Sequence, residues 1–199
     1  NVAIAGHGGT GKTSLVEHIL FAGQVLQKAE TVDSGKTVSD YSDEEIERKI
    51  SIHASLTHVT WNQIKINFID TPGSSDFIGE VIGAFRTSES ALVVIGAKVG
   101  VQIETLKLWR RLDAMKKPRM VFVNKLDRER ADFEVVLDDI KGKFKNTFVP
   151  VSIPMGTGEE YKGIIDLIGM QAYFIPESGK TETAVEIPAE YAEAADEYR

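Results

Sequence analysis

The sequence predicts an α/β fold: a mostly parallel sheet covered by helices on both faces, then the start of an inserted α+β subdomain. Three observations carry this. Apolar runs of strand length alternate with stretches of helix length as far as residue 148. A glycine-rich turn at residues 6–11 joins the first apolar run to the first helix-length stretch. From residue 149 the character shifts to short, closely spaced strands and an acidic tail, which puts a domain boundary near 148, with residues 1–148 as one domain and 149–199 as the start of another.

Taken in order, residues 2–5 read as a short buried strand and residues 12–23 as a helix after the glycine turn. Residues 28–51 are rich in charges and hydroxyls with little periodicity, and are expected to form a long mobile loop. Residues 53–61 and 64–69 read as two strands joined by a turn at Asn62-Gln63. A helix over 76–88, a strand over 91–97, a helix over 102–115 that stops before Pro118, and a strand over 120–124 follow. In the helix expected over 131–144, Phe133, Val136, Leu137, Ile140 and Phe144 fall on one face. Beyond 148, strands are expected at 149–153, 164–168 and 170–175, with an acidic helix over 188–199.

Composition narrows the class. At 42% hydrophobic and 27% charged residues, the 199-residue chain has the profile of a soluble globular protein. It contains no cysteine, which excludes disulfides and thiolate metal sites and suits a reducing, cytoplasmic setting. No apolar run is long enough to span a membrane, and no charged leader precedes the first strand. Asn1 in place of Met suggests that residues preceding it are missing. The net charge of −7 is lopsided: residues 1–148 hold 20 basic and 20 acidic residues, residues 149–199 hold 3 and 10. The acidic tail is either a solvated helix face or a module with its own partner, and no basic stripe of the nucleic-acid-binding kind is present.

Three motifs carry chemistry. GHGGTGKT at residues 6–13 fits G-x-x-x-x-G-K-[ST] between a strand and a helix. Such glycines let backbone N–H groups curl around phosphate, and the helix N-terminus adds partial positive charge. Lys12 is placed to reach the β- and γ-phosphates, and Thr13 to offer its hydroxyl to Mg²⁺. Asp70-Thr71-Pro72-Gly73 ends a neighbouring strand, where an Asp holds Mg²⁺ and Gly73 can point its N–H at the γ-phosphate. Asn124-Lys125-Leu126-Asp127 ends a later strand. The Asp127 carboxylate can accept the ring N–H and amino group of guanine, which adenine lacks, a discrimination of about 10⁴–10⁵ in a dry site. Asn124 is expected to brace neighbouring loops, and the stem of Lys125 to lie along the base. Together the motifs point to guanosine triphosphate and Mg²⁺ at the carboxyl ends of parallel strands. The Asp127 motif disfavours an ATPase or nucleotide kinase.

With these residues in place, the chain resembles the translational GTPases, and within them elongation factor G and its paralogues. Residues 6–14 (GHGGTGKTS, which adds Ser14 to the phosphate loop), 70–77 (DTPGSSDF) and 124–128 (NKLDR) are similar to that family's nucleotide motifs. Residues 47–52 (ERKISI) resemble its first switch, where Ser51 matches a Mg²⁺-binding threonine. Residues 150–173 resemble the start of the subdomain that elongation factor G inserts into its G domain. The resemblance implies a P-loop GTPase domain, incomplete within this chain, that binds GTP and GDP with Mg²⁺ (ligands Thr13, Ser51 and Asp70). It further implies a cytoplasmic, monomeric factor working at the large-subunit factor-binding site of the ribosome. That factor would meet nucleic acid only as rRNA, with residues 188–199 placed to meet the ribosomal stalk.

Three departures from the family bear on catalysis. Ser74 stands where the family has the histidine that orients the attacking water; serine is shorter and lacks the imidazole, so the catalytic set reduces to Lys12, Gly73 and a weakened Ser74. Gly9 replaces an Asp in the phosphate loop, and Lys49 and Ser51 replace Gly and Thr in the switch. The loss of a water-positioning group slows hydrolysis by about 10²–10⁴. Two alternatives follow: a GTP-binding switch with little or no hydrolysis, or a ribosome-protection or release-type factor. Among the remaining aromatic and imidazole groups, His7 is expected to brace the phosphate loop and His18 to be structural, a compensating role for His53 is disfavoured, and Trp61 and Trp109 are expected to pack.

Overall fold

The computed structural model describes residues 1–175 and 183–199, which form two compact units, Asn1–Asn124 and Lys125–Arg199. In the first unit, β1 (Val2–Ala5), β2 (Ser55–Trp61), β3 (Ile64–Asp70), β4 (Ser90–Gly96) and β5 (Arg119–Asn124) make one sheet in the order β2-β3-β1-β4-β5. Only β2 runs antiparallel, paired with β3 through a hairpin; the other pairs are parallel. The hairpin tip is Asn62 and Gln63, both at positive φ (47° and 65°), a backbone asparagine tolerates and a two-residue turn requires.

The helices are α1 (Lys12–Ala22), α2 (Asp43–Arg48), α3 (Ile78–Thr87) and α4 (Ile103–Ala114). The crossover leaving β1 runs one way along the sheet, and those leaving β3 and β4 run the other way. Right-handed crossovers therefore put α1 on one face and α3 and α4 on the opposite face. The chain reverses at β1, so the turn after β1 opens at the crevice where such sheets bind ligands. Under α1, Ile4, Val16, Leu20, Val59, Phe68 and Val94 form a closed apolar core.

The expected mobile loop at 28–51 is a correction. A 3₁₀ turn (Val32–Ser34) and α2 lie within it. A capping box starts α2: Ser42 Oγ accepts the Glu45 N–H at 3.3 Å, and Glu45 Oε2 accepts the Ser42 N–H at 3.1 Å. The residue signature Ser-x-x-Glu was in the sequence, but six residues are too few for a helical period to show. Trp61 is a second correction: it is 55% exposed at the end of the edge strand, whereas Trp109 is buried.

The second unit holds α5 (Phe133–Lys143), a three-stranded antiparallel sheet of β6 (Ser152–Met155), β7 (Gly163–Asp166) and β8 (Gln171–Phe174), and α6 (Ala189–Tyr198). The strand expected at 149–153 starts three residues later than expected. Val136, Leu137, Ile140 and Phe144 of the predicted stripe are buried. One face of α6, with Tyr191, Ala194, Ala195 and Tyr198, closes on Ile153, Met155, Ile165 and Ala172. Its acidic residues Glu190, Glu193, Asp196 and Glu197 stay exposed. No helix among the described residues is long and apolar enough to cross a membrane.

Candidate phosphate and magnesium site

The turn after β1 is built for close approach. At Gly6 a Cβ would fall 2.3 Å from the Val94 carbonyl oxygen, so only glycine fits. Gly9 and Gly11 have φ of 76° and 90°, and Gly11 delivers the chain into α1 with left-handed backbone. A Cβ added at Gly9 would meet nothing within 4 Å. His7 supplies the one carbonyl that several groups share: Lys12 Nζ donates to it at 3.2 Å and Thr10 Oγ1 at 3.0 Å. The imidazole Nδ1 of His7 lies 3.2 Å from Glu104 Oε2, at the start of α4.

Opposite the loop, Asp70 ends β3, 1% exposed. Its Oδ2 accepts the Thr13 hydroxyl at 2.7 Å, and Thr13 Oγ1 lies 3.2 Å from Ser51 Oγ. Thr71 donates to the Ile4 carbonyl at 2.7 Å, which locks the Asp70 turn to β1. Gly73 then rests on the loop so closely that a Cβ would come within 2.6 Å of Gly8 Cα and of Lys12 Nζ. Ser74 Oγ is engaged locally: it accepts the Asp76 N–H at 3.3 Å and lies 3.2 Å from Asp76 Oδ2, capping a 3₁₀ turn. Asn124, at the end of β5, donates from Nδ2 to the Thr10 carbonyl at 2.9 Å and so braces the loop from the far side.

Electrostatics distinguish this cluster from ordinary core. Burial pushes the Asp70 carboxyl up to about 6, against the Thr13 hydrogen bond and the Lys12 charge; the nearby Asp40 adds to the rise. Burial lowers the Lys12 ammonium, which Asp70 and Asp40 partly restore. Asp40 was not foreseen. It is 4% exposed, neither of its carboxylate oxygens makes a well-formed hydrogen bond, and burial raises its carboxyl, with Glu45 adding to the rise. Nothing local in the sequence marks it out, because its importance comes from folding back beside Lys12 and Asp70.

Mg²⁺ fits the donors present. Asp70 Oδ1 is buried with no hydrogen-bond partner, and Thr13 and Ser51 hydroxyls adjoin its other oxygen. All are hard oxygen donors, and two buried carboxylates outweigh one ammonium. Among the described residues no three His, Cys, Asp or Glu side chains gather as a cage.

Three carboxylates, two of them fully buried, pin residues 30–54, and none was foreseen. Glu17 on α1 accepts the Val38 N–H at 2.6 Å and the Glu30 N–H at 3.1 Å. Glu45 accepts the N–H groups of Ile52 (2.8 Å) and His53 (3.0 Å). Glu80 on α3 accepts the Ala54 N–H at 2.8 Å. Ser51 is thereby held beside Thr13. His53 is exposed and donates its backbone N–H to Glu45.

Lys125, Leu126 and Asp127 begin the second unit. Lys125 has φ of 64° and its carbonyl accepts the Arg128 N–H at 3.3 Å, closing a tight turn. The Leu126 carbonyl accepts the Gly158 N–H at 2.7 Å, and Arg128 Nε lies 3.5 Å from Asp127 Oδ2. The Asp127 charge also helps burial to raise the Tyr161 phenol.

Comparison with known proteins places this geometry. Residues 1–195 match the family model of the elongation factor Tu GTP binding domain. An elongation factor G-like protein of Thermotoga maritima is 41% identical over 173 residues, 87% of this chain and 25% of the relative. A crystal structure of a Thermus thermophilus protein superposes with a TM-score of 0.92 at 30% identity, covering 100% of this chain and 29% of that one. The chain thus spans about a quarter of the length of the relatives it matches. The glycine loop, the Asp70 turn and these likenesses together show that the chain belongs to the translational GTPases, in the elongation factor Tu GTP-binding domain family, and is elongation factor G-like.

Proposed function

We propose that this chain is the nucleotide-binding part of a translation factor of the elongation factor G type, which couples GTP binding and hydrolysis to a change of shape on the ribosome. The observation that carries the proposal is the gathering of Lys12 and Thr13 of the glycine loop with Asp70 and Gly73 of the turn opposite, in a chain that belongs to the elongation factor Tu GTP-binding domain family. The reaction is GTP + H₂O → GDP + phosphate. The loop from Gly6 to Ser14 cradles the phosphates with its N–H groups, and Lys12 neutralises the β/γ oxygens. Thr13, Ser51 and Asp70 would hold Mg²⁺, which when bound offsets charge on the phosphates. Thr71 and Pro72 hold the turn that aims the Gly73 N–H at the last phosphate. Asn124, Lys125, Leu126 and Asp127 select guanine. Residues 149–199 begin the inserted subdomain; the protein is cytoplasmic and monomeric, and meets nucleic acid as rRNA. The exposed acids of α6 face the ribosomal stalk, and retention of full ribosome-dependent activity after charge reversal of Glu190, Glu193 and Glu197 would exclude that contact.

A second reading, a GTP-held switch with little hydrolysis, is favoured by Ser74. Its hydroxyl is committed to Asp76, and serine supplies no imidazole. The deciding experiment measures GTP hydrolysis by the full-length protein with and without ribosomes, beside Ser74→His. Strong stimulation of the natural protein makes it an enzyme that positions water without the family histidine. GTP binding without turnover, restored in Ser74→His, makes it a switch.

A further inference from the structure

The loop between Ala5 and Thr10 reads Gly-His-Gly-Gly, so His7 has the only side chain there. Glycine on both sides leaves the His7 peptide free to rotate unless something fixes it. Yet the His7 carbonyl must face inward, because Lys12 Nζ and Thr10 Oγ1 both donate to it. The contact that holds the His7 side chain comes from α4: Glu104 Oε2 lies 3.2 Å from Nδ1, and both side chains are more than half buried, at 38% and 30% exposed. The contact is one of close approach and packing rather than an aligned hydrogen bond, since Nδ1 has no well-formed partner. Glu104 also lines a cavity of about 330 Å³ between α3 and α4, whose walls include Gly73 and Ser74. One carboxylate therefore touches the phosphate loop and borders the turn that faces the last phosphate.

We propose that Glu104 is a positioning residue for nucleotide binding: by holding the His7 imidazole it sets the His7 peptide, and that peptide sets the Lys12 ammonium. This rests on the reading of the loop as a phosphate site. No bond is made or broken by Glu104, and it is not a catalytic residue.

The test uses the full-length protein and fluorescent GDP and non-hydrolysable GTP analogues, with dissociation constants and melting temperatures for Glu104→Ala, Glu104→Gln, His7→Ala and the double alanine variant. Glu104→Ala should weaken both nucleotides ~5–10-fold, the scale of one lost polar contact. Glu104→Gln keeps an oxygen that can face Nδ1 and should stay within ~3-fold of the natural protein. Adding Glu104→Ala to His7→Ala should change affinity by less than ~2-fold, because the two act as one unit. Unchanged affinity in Glu104→Ala, or additive losses in the double variant, would overturn the proposal. So would tighter binding in both Glu104 variants, which would mean that the carboxylate merely repels phosphate. A lower melting temperature with unaltered affinity would reduce Glu104 to a structural role and count against it. Failure of the natural protein to bind either nucleotide is a separate outcome, and it would fall on the phosphate-site reading itself.

Discussion

At the scale of single residues, burial shifts both charged groups at the centre of the site, raising the Asp70 carboxyl and lowering the Lys12 ammonium. Asp70 is held up to about 6 by burial and is matched only by Lys12 and hydroxyls. Asp70→Asn should lower the Mg²⁺ dependence of nucleotide affinity by at least ~10-fold, the scale seen when a metal's carboxylate shell is disturbed. Titrating Mg²⁺ at fixed GDP checks this; an unaltered Mg²⁺ midpoint would remove Asp70 from the ligand set. Asp127→Ala should bring GTP and ATP affinities together, measured by competition, if its carboxylate pairs with the guanine edge as proposed. The loop, the Asp70 turn and the Asn-Lys-x-Asp stretch could be singled out in the sequence because each is written within a few positions of the chain. Asp40, Glu17 and Glu80 were not, since each acts on a partner brought near by folding.

At the scale of elements, residues 28–54 form an ordered segment hung on carboxylates. Burial alone would raise the Glu45 carboxyl, but the N–H groups of His53, Ile52 and Ser42 and the Ser42 hydroxyl outweigh it and hold the carboxyl below its ordinary range. A lowered folded value means that the stability it contributes is complete above the unfolded value, near ~4.3. That stability is lost as pH falls through the folded value. Protection of the Ile52 and His53 amides, relative to their intrinsic exchange, should therefore fall as pH drops below the ordinary carboxylate range. Glu45→Gln should open the segment at neutral pH, at a cost of ~2–3 kcal/mol for unmatched buried donors. Equal protection of these amides at about pH 3.5 and about pH 7 would argue against the pin. Lys49 ends α2 with φ of 55°, a left-handed cap at which the family has glycine. Lys49→Gly should raise stability by ~0.5–1 kcal/mol despite losing an exposed contact with Asp33, as read from denaturant midpoints.

At the scale of the whole molecule, the acidic excess of residues 149–199 does not keep that segment unfolded. The tail forms α6, whose alanine and tyrosine face closes the small unit's core while its acids stay in water. Tyr198 donates its hydroxyl to Glu134 on α5 and meets Phe133 edge-on, which ties the end of α6 to the other helix of that unit. Ala195 has no exposed surface, so Ala195→Leu should overpack the unit and cost ~1–3 kcal/mol. Reversing Glu193 and Glu197 should leave stability within ~0.5 kcal/mol. Urea unfolding of the three proteins separates the two faces; equal losses from both kinds of change would contradict this packing.

The sequence by itself determined the alternation of strands and helices and the glycine loop, and it marked the Asp70 turn and the Asn-Lys-x-Asp stretch as candidate ligand positions, because each is written in residues adjacent along the chain. Hydrophobic period and glycine geometry act over short distances and survive without knowledge of the fold. Tertiary structure alone decided that residues 28–53 are ordered. It also brought Asp40 beside Asp70 and Lys12, committed Ser74 to Asp76, and set Glu104 against His7. Those facts depend on burial and on partners far apart along the chain, and a carboxylate's role is fixed by which N–H, hydroxyl or cation it meets once water has been excluded.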